Sequence, residues 1–410
     1  MSPRKLALQC LRRWDDGGVF AETLVRDAAE RHLHSAADRA LLQAIVLGTL
    51  RHLRLLTHTV HTLRGGRHTQ AEAERLLICG LCQLYILHMP AYAVVNEMVK
   101  LAPQRMRPLV NGVLRQASRT EAEWQAGLAE LPPGVRYSMP DWLVQRWQAR
   151  WGEAECEALL QSMSEPAPVC LRTTGRPPLP AIPPHWHAIA DAPGWYMPEG
   201  DAPLPTDLLE SGSIYVADPS TRYSVNLLAP RPGERVLDTC AAPGGKSVGI
   251  LAATCGQCHL VATDAEQHRL PTLRSNLARM AADNVRVEHH DWLRPCPDAW
   301  RGAFDAVLAD VPCSNSGVFR RRVDARWRLT PAELEKLTAT QLSIAEHALQ
   351  ALRPGGRLVY STCSIEPEED SLLVEKLLSR HPECSLESDF LALPHRVSAD
   401  GAYAALIRKQ

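Results

Sequence analysis

The sequence predicts a multidomain protein in which an all-α N-terminal domain precedes a C-terminal α/β domain built on a mostly parallel sheet. Three observations support this fold class. The chain has 410 residues, more than one ordinary domain needs. Apolar residues recur at helical spacing through residues 4–119. From residue 213 onward, strand-like runs alternate with helical segments, which is typical of a parallel sheet with helices on both faces.

The all-α domain is predicted over residues 1–120. Ser35, with Asp38 three positions later, is typical of a capped helix start, and Gly65 and Gly66 end that helical stretch. Pro90 is expected to end a buried helix. Residues 120–137 are predicted to be a connector. The predicted helical stretches are residues 4–63, 76–87, 96–102 and 107–119.

A small α/β linking subdomain is predicted over residues 137–212. It begins with two helices, near residues 137–147 and 153–163. Eleven of the 31 prolines lie between residues 165 and 205, which excludes a continuous helix there. Short strands joined by long loops are therefore expected, at residues 169–173 and 187–189.

The α/β domain is predicted over residues 213–410, with residues 402–408 as an edge strand. Its strands are predicted at residues 235–240, 259–264, 285–291, 304–311 and 357–363. Its helices are predicted at residues 247–253, 266–282, 331–352 and 367–380.

Composition excludes several classes of protein. No run approaches the ~18 consecutive apolar residues of a membrane helix, and the start M-S-P-R-K lacks the apolar region of a signal peptide. We therefore expect a cytoplasmic protein without a membrane partner. Twelve cysteines are too few for a disulfide scaffold, so free thiols are expected. The pairs Cys79/Cys82 and Cys255/Cys258 have no second pair nearby, and no metal site is predicted.

The net charge of −1 conceals an asymmetry. Residues 1–150 hold 20 Lys and Arg against 13 Asp and Glu, whereas the remainder holds 25 against 33. A basic N-terminal part suits a polyanionic partner. An ordinary solvated helical surface explains the same charge equally well.

Polar residues and cysteines follow the apolar strand runs at the point where each strand ends. Because ligands collect at the carboxyl ends of strands in open α/β sheets, these side chains are expected to face one crevice. They are Asp238, Asp310, Cys313 and Cys363, and Asp264 and Asp291 end the second and third strands. The two cysteines are 50 positions apart in the chain.

The loop after the first of these strands is rich in small residues. Gly244 and Gly245 allow a backbone to approach a ligand closely, and the helix that starts near Lys246 directs its N-terminus at an anionic group. With a carboxylate at Asp264 for ribose hydroxyls, the pattern predicts a ligand that contains a nucleoside. A phosphate-binding P-loop would need glycine where Cys240 stands, and the G-x-G-x-x-G pattern is absent.

Together these motifs resemble class I (Rossmann-like) S-adenosylmethionine-dependent methyltransferases, and within them the Nol/Nop/Sun family of RNA cytosine-5 methyltransferases. The resemblance rests on D-T-C-A-A-P-G-G-K-S from residue 238, T-D at residue 264, D-V-P-C-S from residue 310 and Y-S-T-C-S from residue 360. Residues 4–119 resemble the NusB-type RNA-binding domain. The chain departs from the family where S-N-S-G at residues 314–317 replaces S-G-T-G or S-A-T-G.

The resemblance implies roles for particular residues. Cys363 corresponds to the nucleophile that adds to carbon 6 of cytosine, and Cys313 to the group that assists proton removal and enzyme release. Asp310 corresponds to the acid that contacts ring nitrogen N3. The S-adenosylmethionine site would comprise Cys240, Ala241, Ala242, Pro243, Gly244, Gly245, Lys246, Asp264, Asp291 and Asp310. Lys246 is also a candidate for the edge of the active site.

The same resemblance implies the partner. A monomer is expected to act on an unpaired or flipped cytosine of small-subunit ribosomal RNA, with the N-terminal and linking domains binding RNA. Arg320, Arg321 and Arg322 are candidates for phosphate contacts, and an exposed charge run is the alternative. Two other functions remain open: a transfer RNA cytosine-5 methyltransferase, and a non-catalytic RNA-binding assembly factor.

Overall fold

The computed structural model describes residues 1–175, 179–200, 202–280 and 282–410. The predicted subdomain over 137–212 and the predicted helix over 266–282 include residues 176–178, 201 and 281, which lie outside the described residues. The chain forms two compact units. The first is Met1–Pro166 with Phe319–Arg328, and the second is Ala167–Val318 with Leu329–Gln410. The division into three domains at 120, 137 and 213 stays a prediction.

The first unit is all-α through residue 166, and its helical character over residues 1–120 agrees with the prediction. Its core is formed by apolar faces of several helices, and Leu42, Ile45, Leu56 and Leu77 are fully buried there. The helices are α1 Pro3–Asp15, α2 Ala21–His32, α3 Ala36–Arg51, α4 Leu53–Leu63, α5 Ala71–Leu81, α6 Ala91–Leu101, α7 Arg107–Arg119, α8 Glu121–Gly127, α9 Pro133–Arg136, α10 Asp141–Trp151 and α11 Glu153–Ser164.

Local sequence signals fixed some helix ends and missed others. The Ser35 side chain accepts a hydrogen bond from the Asp38 backbone and caps α3, as predicted. The predicted helix over 76–87 starts earlier, as α5, and changes at Cys82–Ile86 into a π-helical turn. The buried helical stretch ends before Pro90, as predicted, but the next helix, α6, begins directly after Pro90 instead of at residue 96.

The prediction of a connector at 120–137 was wrong, because α8 and α9 lie within it. The segment is too short to display an apolar period, and a tertiary contact stabilises it instead. Trp124 of α8 stacks on Tyr85 with ring centroids 4.3 Å apart, and its indole nitrogen donates to the Thr59 hydroxyl at 3.0 Å.

The remaining helices lie after residue 205. They are α12 Thr206–Glu210, α13 Thr221–Leu228, α14 Gly245–Ala253, α15 Leu270–Ala278, α16 Ala325–Arg328, α17 Pro331–Ala351 and α18 Ser371–Arg380. None of the helices that the structure describes has both the length and the apolar character needed to cross a membrane.

The second unit contains two sheets. A four-stranded antiparallel sheet has the order β2-β3-β1-β4, with β1 Leu171–Thr173, β2 Trp186–Ala188, β3 Trp195–Pro198 and β4 Ile214–Val216. A seven-stranded sheet has the order β10-β11-β9-β8-β5-β6-β7. Its strands are β5 Arg235–Asp238, β6 His259–Asp264, β7 Val285–His289, β8 Phe304–Asp310, β9 Leu352–Thr362, β10 Cys384–Ala392 and β11 Ala402–Lys409.

Five neighbouring strands of the large sheet, from β9 to β7, run parallel, which confirms the predicted α/β class. Successive residues of β8 belong to different apolar clusters, Val307 to one and Leu308 to the other. Leu358 and Val359 of β9 alternate in the same way. Since neighbouring side chains of a strand point to opposite faces, both faces of the sheet are buried.

The prediction that residues 402–408 form an edge strand was wrong. β11 lies between β9 and β10 and pairs antiparallel with both. β10 itself was missed, because most of its residues are exposed and its polar sequence lacks an apolar run. This segment forms a strand because it is hydrogen-bonded to β11, and local strand propensity does not predict it.

The segment Phe319–Arg328 follows the D-V-P-C-S motif in sequence but belongs to the first unit. Asp324, which is 1% exposed, accepts hydrogen bonds from the Trp14 indole at 3.2 Å and from the Ala21 backbone at 2.8 Å. Trp327 donates to the Leu50 carbonyl at 2.9 Å. The guanidinium of Arg326 is fully buried among backbone carbonyls. The segment is therefore an integral part of the helical core.

Candidate active site

The carboxyl ends of the central strands meet at one edge of the large sheet. Asp238 at the end of β5 is in register with Leu308 of β8, and Asp310 at the end of β8 is in register with Ser361 of β9. Asp264 ends β6, the neighbour of β5 on the other side. The loops that follow these strands start from the same edge, as the sequence predicted.

Two thiols from different loops are in contact there. The sulfur atoms of Cys313, three residues after β8, and Cys363, one residue after β9, are 3.0 Å apart. The hydrogen bond with Cys363, together with burial, raises the pKa of Cys313 well above its usual range. Cys313 is therefore protonated at neutral pH, which suits a group that handles a proton rather than a nucleophile.

Asn315 and Gly317 connect the two cysteine loops. The Asn315 amide accepts from the Cys363 thiol at 3.3 Å and donates to the Cys313 carbonyl at 2.9 Å. The Gly317 backbone donates to the Cys363 carbonyl at 2.9 Å. A Cβ atom at Gly317 would lie 2.8 Å from that same oxygen, so a larger residue would push the loops apart.

Lys246 and Asp310 form an ion pair beside the thiols. The Lys246 ammonium, in the first turn of α14, donates to the Asp310 carboxylate at 2.7 Å, and the two side chains are 17% and 28% exposed. Burial opposes the charge of Lys246, but the carboxylate of Asp310 outweighs it, with further help from Cys363 and Asp238, and the pKa of Lys246 is raised. Lys246 is thus held as a cation by Asp310, at the strand edge from which both cysteine loops start.

The loop at residues 240–246 is held by β6. The Ala241 backbone donates to the Thr263 carbonyl at 2.7 Å, and the Ala242 backbone donates to the Asp264 carboxylate at 3.1 Å. Gly244 has a φ of +114°, and a Cβ there would lie 3.1 Å from a Leu273 methyl, so the turn requires glycine. Burial raises the pKa of Cys240 to about 12, which makes this third cysteine of the edge unreactive.

The acidic residues at the other strand ends differ in their partners. Asp264 is 3% exposed, and its second oxygen accepts from the Glu266 backbone at 3.0 Å. Asp291 is half-buried and accepts from the Leu293 backbone at 3.0 Å. Asp238 accepts from the Ser247 hydroxyl at 2.6 Å through one oxygen only.

The other oxygen of Asp238 is buried and has no hydrogen-bond partner within the described parts of the chain. Burial raises the pKa of Asp238 to about 7. Because an unsatisfied buried oxygen is costly, this carboxylate fits a ligand that brings a donor or a positive charge.

Sequence reasoning missed the groups that lie behind the thiols. Glu369 is fully buried and accepts hydrogen bonds from Ser314 and Ser364, the residues that directly follow the two cysteines. Gln341 of α17 donates to the same carboxylate at 2.8 Å. The signal available in the sequence was an acidic run at residues 366–370, directly after the Cys363 loop, which is ordinarily a solvated surface.

The arginine run at residues 320–322 lies in the first unit. Arg322 forms an ion pair with Glu22 at 2.8 Å, and the Arg320 carbonyl accepts from Arg51 at 3.0 Å. The phosphate contacts suggested for this run stay a prediction.

Three family models match the chain. Residues 225–407 match the model described as 16S rRNA methyltransferase RsmB/F, and residues 1–119 match the NusB family. Residues 139–176 match the ferredoxin-like domain of RsmF/B-like methyltransferases. These matches confirm the two resemblances drawn from the motifs.

Curated relatives match over nearly the full length. The protein named ribosomal RNA small subunit methyltransferase B from Cronobacter sakazakii is 34% identical, over 99% of this chain and 98% of its own. Its namesake from Serratia proteamaculans is 35% identical over 91% of each chain. A solved structure of a methyltransferase homolog from Pyrococcus horikoshii covers 68% of this chain and 98% of its own, with 25% identity and a TM-score of 0.57.

The residues of the sheet edge fit the cofactor that such methyltransferases use. The carboxylate of Asp264 suits ribose hydroxyls, and the unsatisfied oxygen of Asp238 suits a positively charged group. With 34% identity over 99% of its length, the chain belongs to the RsmB/F family of 16S rRNA methyltransferases, and its cofactor is S-adenosylmethionine.

Proposed function

We propose that this protein methylates carbon 5 of one specific cytosine in small-subunit ribosomal RNA through a covalent bond between Cys363 and carbon 6 of the base. The observation that carries this proposal is the contact of two thiols at 3.0 Å, beside the Lys246–Asp310 ion pair. The names of the curated relatives support ribosomal over transfer RNA as the substrate.

The chemistry explains why two thiols are needed. Carbon 5 of cytosine is a poor nucleophile, and a thiolate that adds to carbon 6 makes it enamine-like. When bound, S-adenosylmethionine supplies an electrophilic methyl group. Cys363 provides the thiolate that adds to carbon 6. After methylation, removal of the proton from carbon 5 returns the bonding electrons of the carbon–sulfur bond to Cys363.

Cys313 and Asp310 have the supporting roles. Cys313 lies 3.0 Å from the Cys363 sulfur and would take part in proton removal at carbon 5 and in elimination. Because its raised pKa keeps it protonated in the resting site, its thiol must first release its own proton, to solvent, before it accepts the proton from carbon 5. Asp310 would contact the N3 edge of the base and stabilise the charge that develops there during thiolate addition. Lys246 holds the carboxylate of Asp310 in the conformation required.

The cofactor would lie along the loop at residues 240–246, with Asp264 and Asp291 as further contacts. The backbone turn of this loop at Gly244 leads directly into the N-terminus of α14. The turn and the helix N-terminus lie at the same edge of the sheet. Asp238 accepts a hydrogen bond from Ser247, the residue that follows this loop.

The RNA substrate would present an unpaired or flipped cytosine, because the thiols cannot reach carbon 6 of a stacked base. The basic helical unit contributes electrostatic affinity for RNA. The protein acts in the cytoplasm as a monomer. A chain truncated before residue 137 is a poor test of this role, since Asp324 would lose its partners Trp14 and Ala21.

Two cysteine variants test the mechanism. Cys363→Ala should abolish methyl transfer and form no covalent complex. Cys313→Ala should attack and methylate, and then remain attached to the RNA because elimination fails. A denaturing gel with labelled RNA separates these outcomes, since a thioether-linked complex survives denaturant. A strong adduct in Cys363→Ala and none in Cys313→Ala would reverse the two roles.

Mapping of 5-methylcytosine tests the substrate. Total RNA from cells with and without the gene should differ at one cytosine of small-subunit ribosomal RNA. A difference in transfer RNA alone would support the transfer RNA alternative, and no difference at all would support a non-catalytic assembly factor.

A further inference from the structure

Glu369 is a buried carboxylate just behind the cysteine loops. It lies between β9 and α18, and none of its surface is exposed to solvent. One carboxylate oxygen accepts from the Ser314 backbone and from the Gln341 amide, each at 2.8 Å. The other accepts from the hydroxyls of Ser314 and Ser364, each at 2.5 Å.

These hydrogen bonds join the two loops that carry the thiols. Ser314 directly follows Cys313, and Ser364 directly follows Cys363. The two serine hydroxyls are also 3.2 Å from each other. One carboxylate therefore fixes, by way of adjacent residues, both backbones from which the reactive sulfur atoms extend.

A third serine extends the network across the same pair of loops. The Ser316 hydroxyl lies 3.1 Å from that of Ser364 and accepts from the Ile365 backbone at 2.9 Å. The Ser364 hydroxyl in turn accepts from the Glu366 backbone at 3.0 Å. Because each group has a partner, the network has little freedom to rearrange.

A buried carboxylate is tolerated only where hydrogen bonds replace its hydration. Glu369 meets that condition with four donors, and three of them come from Ser314 and Ser364. Replacing one carboxylate oxygen by an amide nitrogen would leave the donors on that side without an acceptor. The loops would then be held together only by the remaining contacts of Asn315, Ser316 and Gly317.

We propose that Glu369 is a positioning residue that clamps the loops of Cys313 and Cys363 and sets the distance between the two thiols. It does not itself touch RNA or cofactor. The expected effect of Glu369 on methyl transfer rests on the proposed function, in which both thiols act on one base. Its expected effect on the distance between the two sulfur atoms does not depend on that function. The negative charge of Glu369 also contributes to the raised pKa of Cys313, after the Cys363 hydrogen bond, burial and the charge of Cys363.

The distance between the thiols has a readout that is independent of methyl transfer. Diamide oxidises two neighbouring thiols to a disulfide, and it accepts the two electrons and two protons that they release. The rate of Cys313–Cys363 disulfide formation in the folded full-length protein, followed by mass spectrometry of peptides, therefore reports whether the sulfur atoms remain in contact.

The test variant is Glu369→Gln, which keeps the shape but replaces one acceptor oxygen by a donor. We expect disulfide formation to slow at least ~10-fold and kcat to fall on the order of 100-fold, since small misplacements of reacting groups have effects of that size. The affinity for S-adenosylmethionine, measured by calorimetry, should stay unchanged, and so should KM for RNA.

The matched control is Glu234→Gln in the same unit. Glu234 accepts from Arg357 at 2.6 Å and from the Arg231 backbone at 2.8 Å, but it directly precedes β5, whereas the thiols follow the carboxyl ends of β8 and β9. Disulfide formation and kcat should both stay at the wild-type values in this variant. An equal loss in Glu234→Gln would mean that any broken carboxylate network has this effect, and would overturn the proposal.

A second pair of variants tests the route through the serines. If Glu369 acts through Ser364, then Ser364→Ala should slow disulfide formation, and combining it with Glu369→Gln should add little. Should Glu369→Gln fail to fold, Ser364→Ala, which keeps the carboxylate, answers the same question. Wild-type rates of disulfide formation in the folded variants would refute the clamp. Slowed disulfide formation with undiminished methyl transfer would instead support the clamp and refute the two-thiol mechanism.

Discussion

The ion pair between Lys246 and Asp310 allows a quantitative test of the active site. The two side chains come from α14 and from the end of β8, 64 residues apart in sequence, and meet at 2.7 Å. Lys246→Met removes the cation and keeps most of the apolar stem, while Asp310→Asn removes the negative charge and keeps the shape. Each variant leaves the other partner without its counter-charge.

The expected magnitude follows from the exposure and geometry of the pair. A hydrogen bond to a charged group contributes ~1.5–3 kcal/mol. The partners are 17% and 28% exposed, so solvent screens the pair less than it screens a surface ion pair. A coupling of ~1.5–3 kcal/mol corresponds to roughly 10–150-fold in kcat/KM.

The assay is a double-mutant cycle on methyl transfer to the natural RNA, with thermal unfolding of each variant as a second readout. If the two groups act as one unit, the double variant should be hardly worse than the poorer single variant. The matched control is the pair of Arg353 and Asp305, which are 2.6 Å apart but 54% and 20% exposed. That pair lies outside the site and should couple by less than ~1 kcal/mol, without an effect on kcat.

Additive losses within ~0.5 kcal/mol would refute the reasoning, because they would mean that Lys246 and Asp310 contribute separately. A coupling in thermal unfolding without one in kcat/KM would assign the pair to the stability of the fold rather than to the reaction.

Three further predictions follow from other parts of the chain. Asp264→Ala should weaken the binding of S-adenosylmethionine by ~1–3 kcal/mol, and unchanged affinity in calorimetry of the folded variant would contradict this. Burial, followed by the charges of nearby arginines, lowers the pKa of His52 to about 3. The stability that its neutral form contributes is therefore present above pH ~6.5 and decreases as pH falls toward 3, by ~2 kcal/mol at pH 5. Urea unfolding at pH 5 and 7.5 should show a smaller pH dependence for His52→Gln, and an equal dependence would exclude this residue as its source. Arg115 and Arg119 lie exposed one turn apart on α7, and replacing both by Gln should reduce the slope of log Kd for RNA against log salt by ~1–2. A slope equal to that of the wild type would locate the RNA contacts elsewhere.

The sequence alone determined the elements whose residues carry a local pattern. The strand from His259 to Asp264 matches its predicted bounds, because a short apolar run that ends in a polar residue marks a buried strand. The helix over Arg107–Arg119 matches for the same reason, since its buried residues recur at helical spacing. The strand-end residues Asp238, Asp264 and Asp310 were identifiable because parallel strands deliver their carboxyl ends to one edge.

Other features depend on residues that are far apart in the chain. β10 has a polar, largely exposed sequence, and only its pairing with β11 makes it a strand. The segment Phe319–Arg328 has no local sign of the unit to which it belongs. Its place is decided by the partners of Asp324 and Trp327, which lie about 300 residues earlier in the chain.

In the active site, too, the sequence identified some residues, and the tertiary structure decided which of them are in contact. The motifs named Cys313 and Cys363 as a pair, but their contact at 3.0 Å exists only because β8 and β9 are neighbours in the sheet. Glu369 lies in an acidic run that, by composition, belongs on a solvated surface. The tertiary structure buries it because Ser314, Ser364 and Gln341 together supply the hydrogen bonds that replace water, and no local pattern in the sequence records that set of donors.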